Sequence, residues 1–299
     1  MASNSITSTL QYWLVNHPQI LSFTWTQNQT LASSPHFLIL SILTYLSLTF
    51  ILYHISTSTS PSSSPLIGPH ILKPITAVHN LTLLLLSLIM AVGCTLSIIV
   101  HLPHLHYTLC FPPTISPSGP LFFYAYLFYL SKILEFLDTL LIILSKSVQR
   151  LTFLHVYHHA TVVVMCYLWL QTKQSLFPIV LVTNASVHVI MYGYYLLCVM
   201  GLWPKWKRLV TDCQIVQFVF SFVVSVLMLY YHFTGFGCSG ILGWCFNAVF
   251  NASLLTLFVS FHSKSYAKKK AGMIRTNSFC DCFVCVCVCV IFFFKFDFV

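Results

Sequence analysis

The chain has 299 residues, of which 58% are hydrophobic, 16% aromatic and only 6% charged. Soluble domains carry about 25% charged residues, so a water-facing globule is excluded, and this much apolar content excludes disorder. Fourteen Lys and Arg against five Asp and Glu give a net charge of +9, but the cations fall in short clusters between apolar runs, with no basic stripe interleaved with aromatics; this excludes nucleic acid as a partner and fits loop charges that orient membrane helices.

A crossing helix needs about 20 mostly apolar residues, and seven can be drawn, so the predicted fold is all-α and polytopic. An uncharged segment, residues 1–35, comes first; it lacks the basic start and cleavage pattern of a secretory signal and reads as preceding a retained anchor. The first crossing covers residues 36–54 and leads into a Ser/Pro-rich loop, residues 56–69. The second, residues 76–101, ends before a Pro-rich loop, residues 101–120. The third, residues 120–144, carries Lys132, Glu135 and Asp138. The fourth, residues 152–170, has a short apolar run preceded by a histidine cluster. The fifth, residues 177–203, is stopped by Pro204, and the sixth and seventh cover residues 209–231 and 240–262. Residues 76–262 thus form one six-helix membrane domain, followed by a basic tail, residues 263–281, and a Cys/Val/Phe-rich end, residues 282–299.

Loop charges test this count. With the N-terminus lumenal, one side carries Lys73, Lys146, Arg150, Lys205, Lys207, Arg208, Lys264, Lys268, Lys269, Lys270 and Arg275, and the other only Lys173. An error of one crossing would scramble that asymmetry. The sequon at Asn28 then faces the lumen, and the core C-terminus is cytosolic. The twelve cysteines include no pair of CxxC motifs, five of them lie at the C-terminal end, and neither a disulfide framework nor a zinc site is expected.

Ionisable side chains inside a crossing are costly and mark function by default. Lys132 and Glu135 are three apart on the third crossing and can pair, and Asp138 continues that face; the plainer reading is a packing ion pair. His155, His158 and His159 share one flank of the fourth. The fifth presents Asn184, His188, Tyr192 and Tyr195, the last three on one face, and the sixth opens with Gln214 and Gln217; interface anchoring and helix–helix hydrogen bonds are the plainer readings of the tyrosines and amides. All of these sit in the cytosolic part of their helices. Polar chemistry there, above an apolar space, suits a substrate with a polar head and a long hydrocarbon tail.

Four boxes, KILEFLDT (132–139), HVYHH (155–159), HVIMYGYY (188–195) and TDCQIVQ (211–217), resemble in order and spacing those of the ELO family of fatty acid elongases, the membrane 3-ketoacyl-CoA synthases. The flanking LTFLHVYHHATVVV is closer to the plant and fungal branch, and the likeness spans roughly residues 35–270. The resemblance implies seven helices, with the second to seventh enclosing an acyl tunnel. It implies condensation of a long-chain acyl-CoA with malonyl-CoA in the endoplasmic reticulum membrane, releasing CO2 and CoA. No cofactor or metal is implied beyond the two substrates. The expected partners are membrane lipid and the ketoacyl reductase, dehydratase and enoyl reductase of the cycle, with a homodimer left open. A neutral imidazole, with an ordinary pKa of about 6.5, can attack a thioester or move a proton at cytosolic pH. His158 or His188 is expected to carry the acyl group, with His155 and His159 carrying protons or positioning CoA. Gln214, Gln217, Asn184 or Tyr192 would stabilise oxyanions, and Glu135 and Asp138 would orient imidazoles.

Two other classes compete. A di-iron desaturase or hydroxylase also uses HxxHH, and His101, His104 and His106 imitate a second box, but on the lumenal side. A receptor or transporter would leave three histidines beside two intramembrane carboxylates unexplained. Cys213 lies inside the fourth box, which makes a cysteine-borne acyl group the alternative to an imidazole. The CVCVCV run is what a repeated TG dinucleotide encodes, so the last residues are expected to be read-through of non-coding sequence; they follow Lys268–Lys270 where the family's tail ends in a dilysine-type retrieval signal.

Overall fold

The computed structural model describes residues 2–58, 67–102, 105–235 and 237–266. Most of the predicted basic tail, the Cys-rich end, most of the Ser/Pro-rich loop and His104 lie outside them. Among the described residues the regular structure is helical, with one isolated bridge between Thr24 and Ser118. The N-terminal segment holds α1 (Ala2–Gln11), a π-turn at Tyr12–Asn16 and α2 (Pro18–Leu21). There follow α3 (Pro35–Ser58), α4 (Pro69–His101), α5 (Leu105–Leu109), α6 (Pro120–Leu134), α7 (Phe136–Leu144), α8 (Phe153–Thr172), α9 (Phe177–Val199), α10 (Lys207–Thr234) and α11 (Ile241–Tyr266).

Six of these, α3, α4, α8, α9, α10 and α11, are long and apolar enough to cross a membrane. Their outward faces expose large aliphatic and aromatic side chains, Leu40 at 65% and Val226 at 66% among them. Such faces would drive aggregation in water and are stable in hydrocarbon. The chain is a multi-pass membrane protein.

The third predicted crossing is two helices of 15 and 9 residues, α6 and α7, meeting at Glu135. Neither Pro nor Gly causes the break. The Glu135 N–H reaches back to the Ser131 carbonyl, and the Asp138 N–H bonds the Glu135 carbonyl at 3.0 Å, a tightened turn that aims the Glu135 side chain inward. α4 starts seven residues before the predicted boundary because Pro69 fits the first helical position, where its missing N–H costs nothing. α9 ends at Val199 rather than 203. Gly201, at φ +89°, turns the chain, and the Leu202 N–H closes on the Leu197 carbonyl before Pro204 is reached.

The helices pack as a closed ring in the order α4, α9, α10, α11, α8, α6 and back to α4, with α3 outside against α7 and α8. One end of the ring is sealed by loops. The Ser239 N–H bonds the Phe111 carbonyl at 2.8 Å, Ser175 Oγ donates to the Ser239 carbonyl at 2.8 Å, and the Trp25 N–H bonds the Pro117 carbonyl at 2.8 Å. At Gly240 (φ +74°) a Cβ would strike the Gln174 backbone, so only glycine fits. The expectation of no disulfide is corrected here: Cys110 and Cys238 are bonded across a sequence separation of 128 residues. Their loops meet only in three dimensions, which is why spacing along the chain held no sign of the pairing.

Candidate active site

The four sequence boxes come together at the opposite end of the ring. The bend at Glu135 places its carboxylate in the protein interior, where Lys132 donates to Oε1 at 2.7 Å with both side chains almost wholly buried. Two buried charges persist in such a place only when paired and hydrogen-bonded. His188 of α9 completes the group, its Nδ1 lying 3.3 Å from Lys132 Nζ and 3.3 Å from Glu135 Oε1. Lys132 also sits 4.3 Å over the Phe128 ring.

Thr152 caps α8, its hydroxyl accepting from the His155 N–H at 3.3 Å, so the capping residue fixes the rotation of the histidine flank. The rings of His155 and His159 lie 4.5 Å apart and those of His158 and His159 5.4 Å. His155 Nε2 meets Thr139 Oγ1 at 2.9 Å. The Nδ1 atoms of His158 and His159 are buried and have no hydrogen-bond partner among the described residues.

His158 lines a narrow cavity of about 20 Å³ between α8, α9, α10 and α11, together with Asn184, Gln217, Ser221 and Asn251. Asn184 Oδ1 and Gln217 Oε1 are buried there without a partner. The lining runs from His158 to Trp169 of α8, which is about 16 Å along a helix axis. This slender space, rather than a wide channel, lies beneath the histidines.

Asp138 bonds an imidazole and a phenol: its Oδ1 meets His79 Nε2 at 2.8 Å and its Oδ2 accepts from the Tyr192 hydroxyl at 2.8 Å. Tyr192 is thereby committed to a carboxylate and has no free proton for an oxyanion. Gln214 donates weakly to Met191 Sδ at 3.6 Å and, like Tyr195, is absent from the cavity lining. Tyr195 packs edge-on against Tyr192 with ring centroids 6.1 Å apart.

His79, Tyr45, Ser221 and Asn251 went unnoticed in the sequence. His79 is an ionisable group within an apolar run, so the rule that found His188 also applied to it. Asn251 donates to Ser221 Oγ at 3.1 Å and resembles any helix–helix amide until its cavity is seen. Among the described residues, no group of three or more His, Cys, Asp or Glu side chains is arranged to hold a metal ion. His101 and His106 are at the sealed end, His101 standing 22 positions beyond His79 on α4, or about 33 Å along the axis.

The profile of the ELO family, described as GNS1/SUR4, matches residues 30–273. The chain is 27% identical over 290 residues to "Fatty acid elongase 3-like" of Arabidopsis thaliana, covering 92% of this chain and 98% of the relative. It is 35% identical over 207 residues to "Fatty acid elongase A" of Dictyostelium discoideum, 67% of this chain and 74% of the relative. It is 36% identical over 151 residues to "Very long chain fatty acid elongase 5" of Mus musculus, 48% of each. These relatives are elongases and lend nothing to the desaturase alternative. With the family profile spanning most of its length and all four boxes converging on one end of its helix ring, the chain belongs to the ELO (GNS1/SUR4) family.

Proposed function

We propose that the protein condenses a long-chain fatty acyl-CoA with malonyl-CoA, giving a 3-oxoacyl-CoA two carbons longer, CO2 and CoA. This is the first step of very-long-chain fatty acid elongation. The observation that carries the reading is the buried, unpartnered Nδ1 of His158 in a cavity shared with Asn184 and Gln217. An imidazole nitrogen of His158 attacks the thioester carbonyl, the C–S bond breaks, and CoA leaves as the thiol after taking a proton. Malonyl-CoA then loses CO2, and the resulting enolate attacks the acyl-imidazole carbonyl, forming the C–C bond and freeing the histidine. Negative charge develops on the acyl oxygen in both steps, and the NH2 groups of Asn184 and Gln217, not their unpartnered oxygens, would be the donors to it. His188, held by Lys132 and Glu135, and the His155–His159 pair handle protons. Both substrates bring all the reacting groups, so no further cofactor is invoked.

α6 and α7 together make a seventh crossing, and the acyl tail occupies the space below His158 once α8 to α11 part. In this reading the boxes lie on the cytosolic side of the endoplasmic reticulum membrane, the orientation that the clustering of loop cations supports. The Cys110–Cys238 bond supports that orientation, because it lies at the end of the ring opposite the boxes, which the orientation makes lumenal, and disulfides persist in the lumen. The ketoacyl reductase, dehydratase and enoyl reductase of the cycle are the partners that the product requires.

The test is His158→Ala. Incorporation of labelled malonyl-CoA carbon into acyl chains falls by about 100-fold or more while thermal unfolding in detergent is unchanged. Incubation with acyl-CoA alone leaves an acyl group on His158 by peptide mass spectrometry. An adduct on Cys213, or full turnover in the variant, overturns the assignment.

A further inference from the structure

α3 stands outside the helix ring, yet one of its side chains reaches the site. Tyr45 is 5% exposed, with its ring stacked on Phe136 at 4.2 Å, just past the bend at Glu135. Its hydroxyl is 3.0 Å from Thr139 Oγ1, and that same oxygen is 2.9 Å from His155 Nε2. Tyr45, Thr139 and His155 therefore form one single-file row. Each hydroxyl has one proton to give, so a row of this kind points all one way. If Tyr45 donates to Thr139, the proton of Thr139 goes to His155 Nε2 and the ring keeps its own proton on Nδ1. If the row runs in reverse, Nε2 carries the proton. Thr139 is 1% exposed, so no solvent competes for its hydroxyl.

We propose that Tyr45 is a positioning residue for His155, acting through Thr139 to hold the imidazole in one tautomer and orientation, and that α3 is thereby part of the active site rather than an anchor alone. The inference rests on the condensation reading, in which His155 handles protons beside His159. The phenol itself touches no substrate.

Tyr45→Phe keeps the stack on Phe136 and removes only the hydroxyl. In full-length protein in membranes, kcat falls about 3- to 10-fold with the KM for malonyl-CoA unchanged, the size expected for one lost hydrogen bond. Thr139→Val falls at least as far, Thr139→Ser restores turnover, and Tyr45→Phe combined with Thr139→Val is no slower than Thr139→Val alone, because both act through one row. A second readout is independent of turnover: carbethoxylation of His155 by diethylpyrocarbonate, followed by peptide mass spectrometry, speeds up most in Thr139→Val, which releases Nε2, and less in Tyr45→Phe, where Thr139 is no longer held toward Nε2. Unchanged His155 reactivity in Tyr45→Phe, or independent multiplication of the two kcat losses, overturns the proposal. An inert wild type would instead sink the condensation reading, so the two failures are distinguishable.

Discussion

At the sealed end of the helix ring, tyrosines and serines are spent on backbone. Tyr126, Tyr129 and Tyr167 donate to the carbonyls of Leu31, Ala32 and Ser33, and Ser175 binds the loops at Phe111 and Ser239 together. At the histidine end, Glu135 Oε2, His158 Nδ1, His159 Nδ1, Asn184 Oδ1 and Gln217 Oε1 are all buried with no partner. Each such group costs about 1–3 kcal/mol. Three residues break the pattern toward the sealed end: the Gln174 amide, Trp169 Nε1 and Asn247 Oδ1 are also unpaired among the described residues. The difference teaches where the chain spends stability. One end closes the fold mostly with bonds between side chains and backbone, while the other gathers unpartnered polar atoms around the histidines, the capacity that the proposed reaction would draw on.

Substitutions should therefore separate the ends, and the largest effect belongs to the buried ion pair. Lys132→Ala leaves the Glu135 carboxylate buried without its cation, a loss of about 3–5 kcal/mol, read as a lower unfolding temperature in detergent together with lost condensation. Replacing both partners with apolar residues recovers the stability and not the turnover. If the double variant also turns over, the pair belongs to packing alone and the contrast between the ends fails. The next effect lies at the sealed end. Replacing Cys110 and Cys238 together with serine costs about 2–4 kcal/mol, while kcat measured well below the unfolding temperature stays within about twofold. A fall in kcat at unchanged stability would show that the loops steer the chemistry.

The long crossings were legible because lipid demands an apolar run of fixed length, whatever the helix later packs against. Lys132, Glu135 and His188 were legible for the complementary reason: ionisable groups are costly in hydrocarbon and so stand out from the apolar run. What stayed hidden depends on partners distant in sequence. The break at Glu135 carries no Pro or Gly, and its side chain is held in place by His188 of another helix, 53 positions away. The partners of Asp138 were hidden because His79 and Tyr192 lie on α4 and α9, far from it in sequence. Tyr45 resembles any interfacial aromatic until Thr139 is found beside it. The disulfide pairs two cysteines whose local surroundings give no hint of each other.

The smallest predicted effect is the sharpest test of independence between the ends, because α6 spans both. Tyr129 is fully buried on α6, and its hydroxyl donates to the Ala32 carbonyl at 3.0 Å. Lys132 lies three residues further along the same helix, on the same face. Tyr129→Phe keeps the ring and removes one bond from the sealed end, which costs about 0.5–1.5 kcal/mol, seen as a modest drop in unfolding temperature. With the helix intact and the Lys132–Glu135 pair unmoved, kcat and the KM for malonyl-CoA stay at wild-type values. A drop in kcat larger than the stability loss accounts for would mean that α6 transmits the attachment of residues 31–33 to the ion pair, and the two ends would then form one mechanical unit.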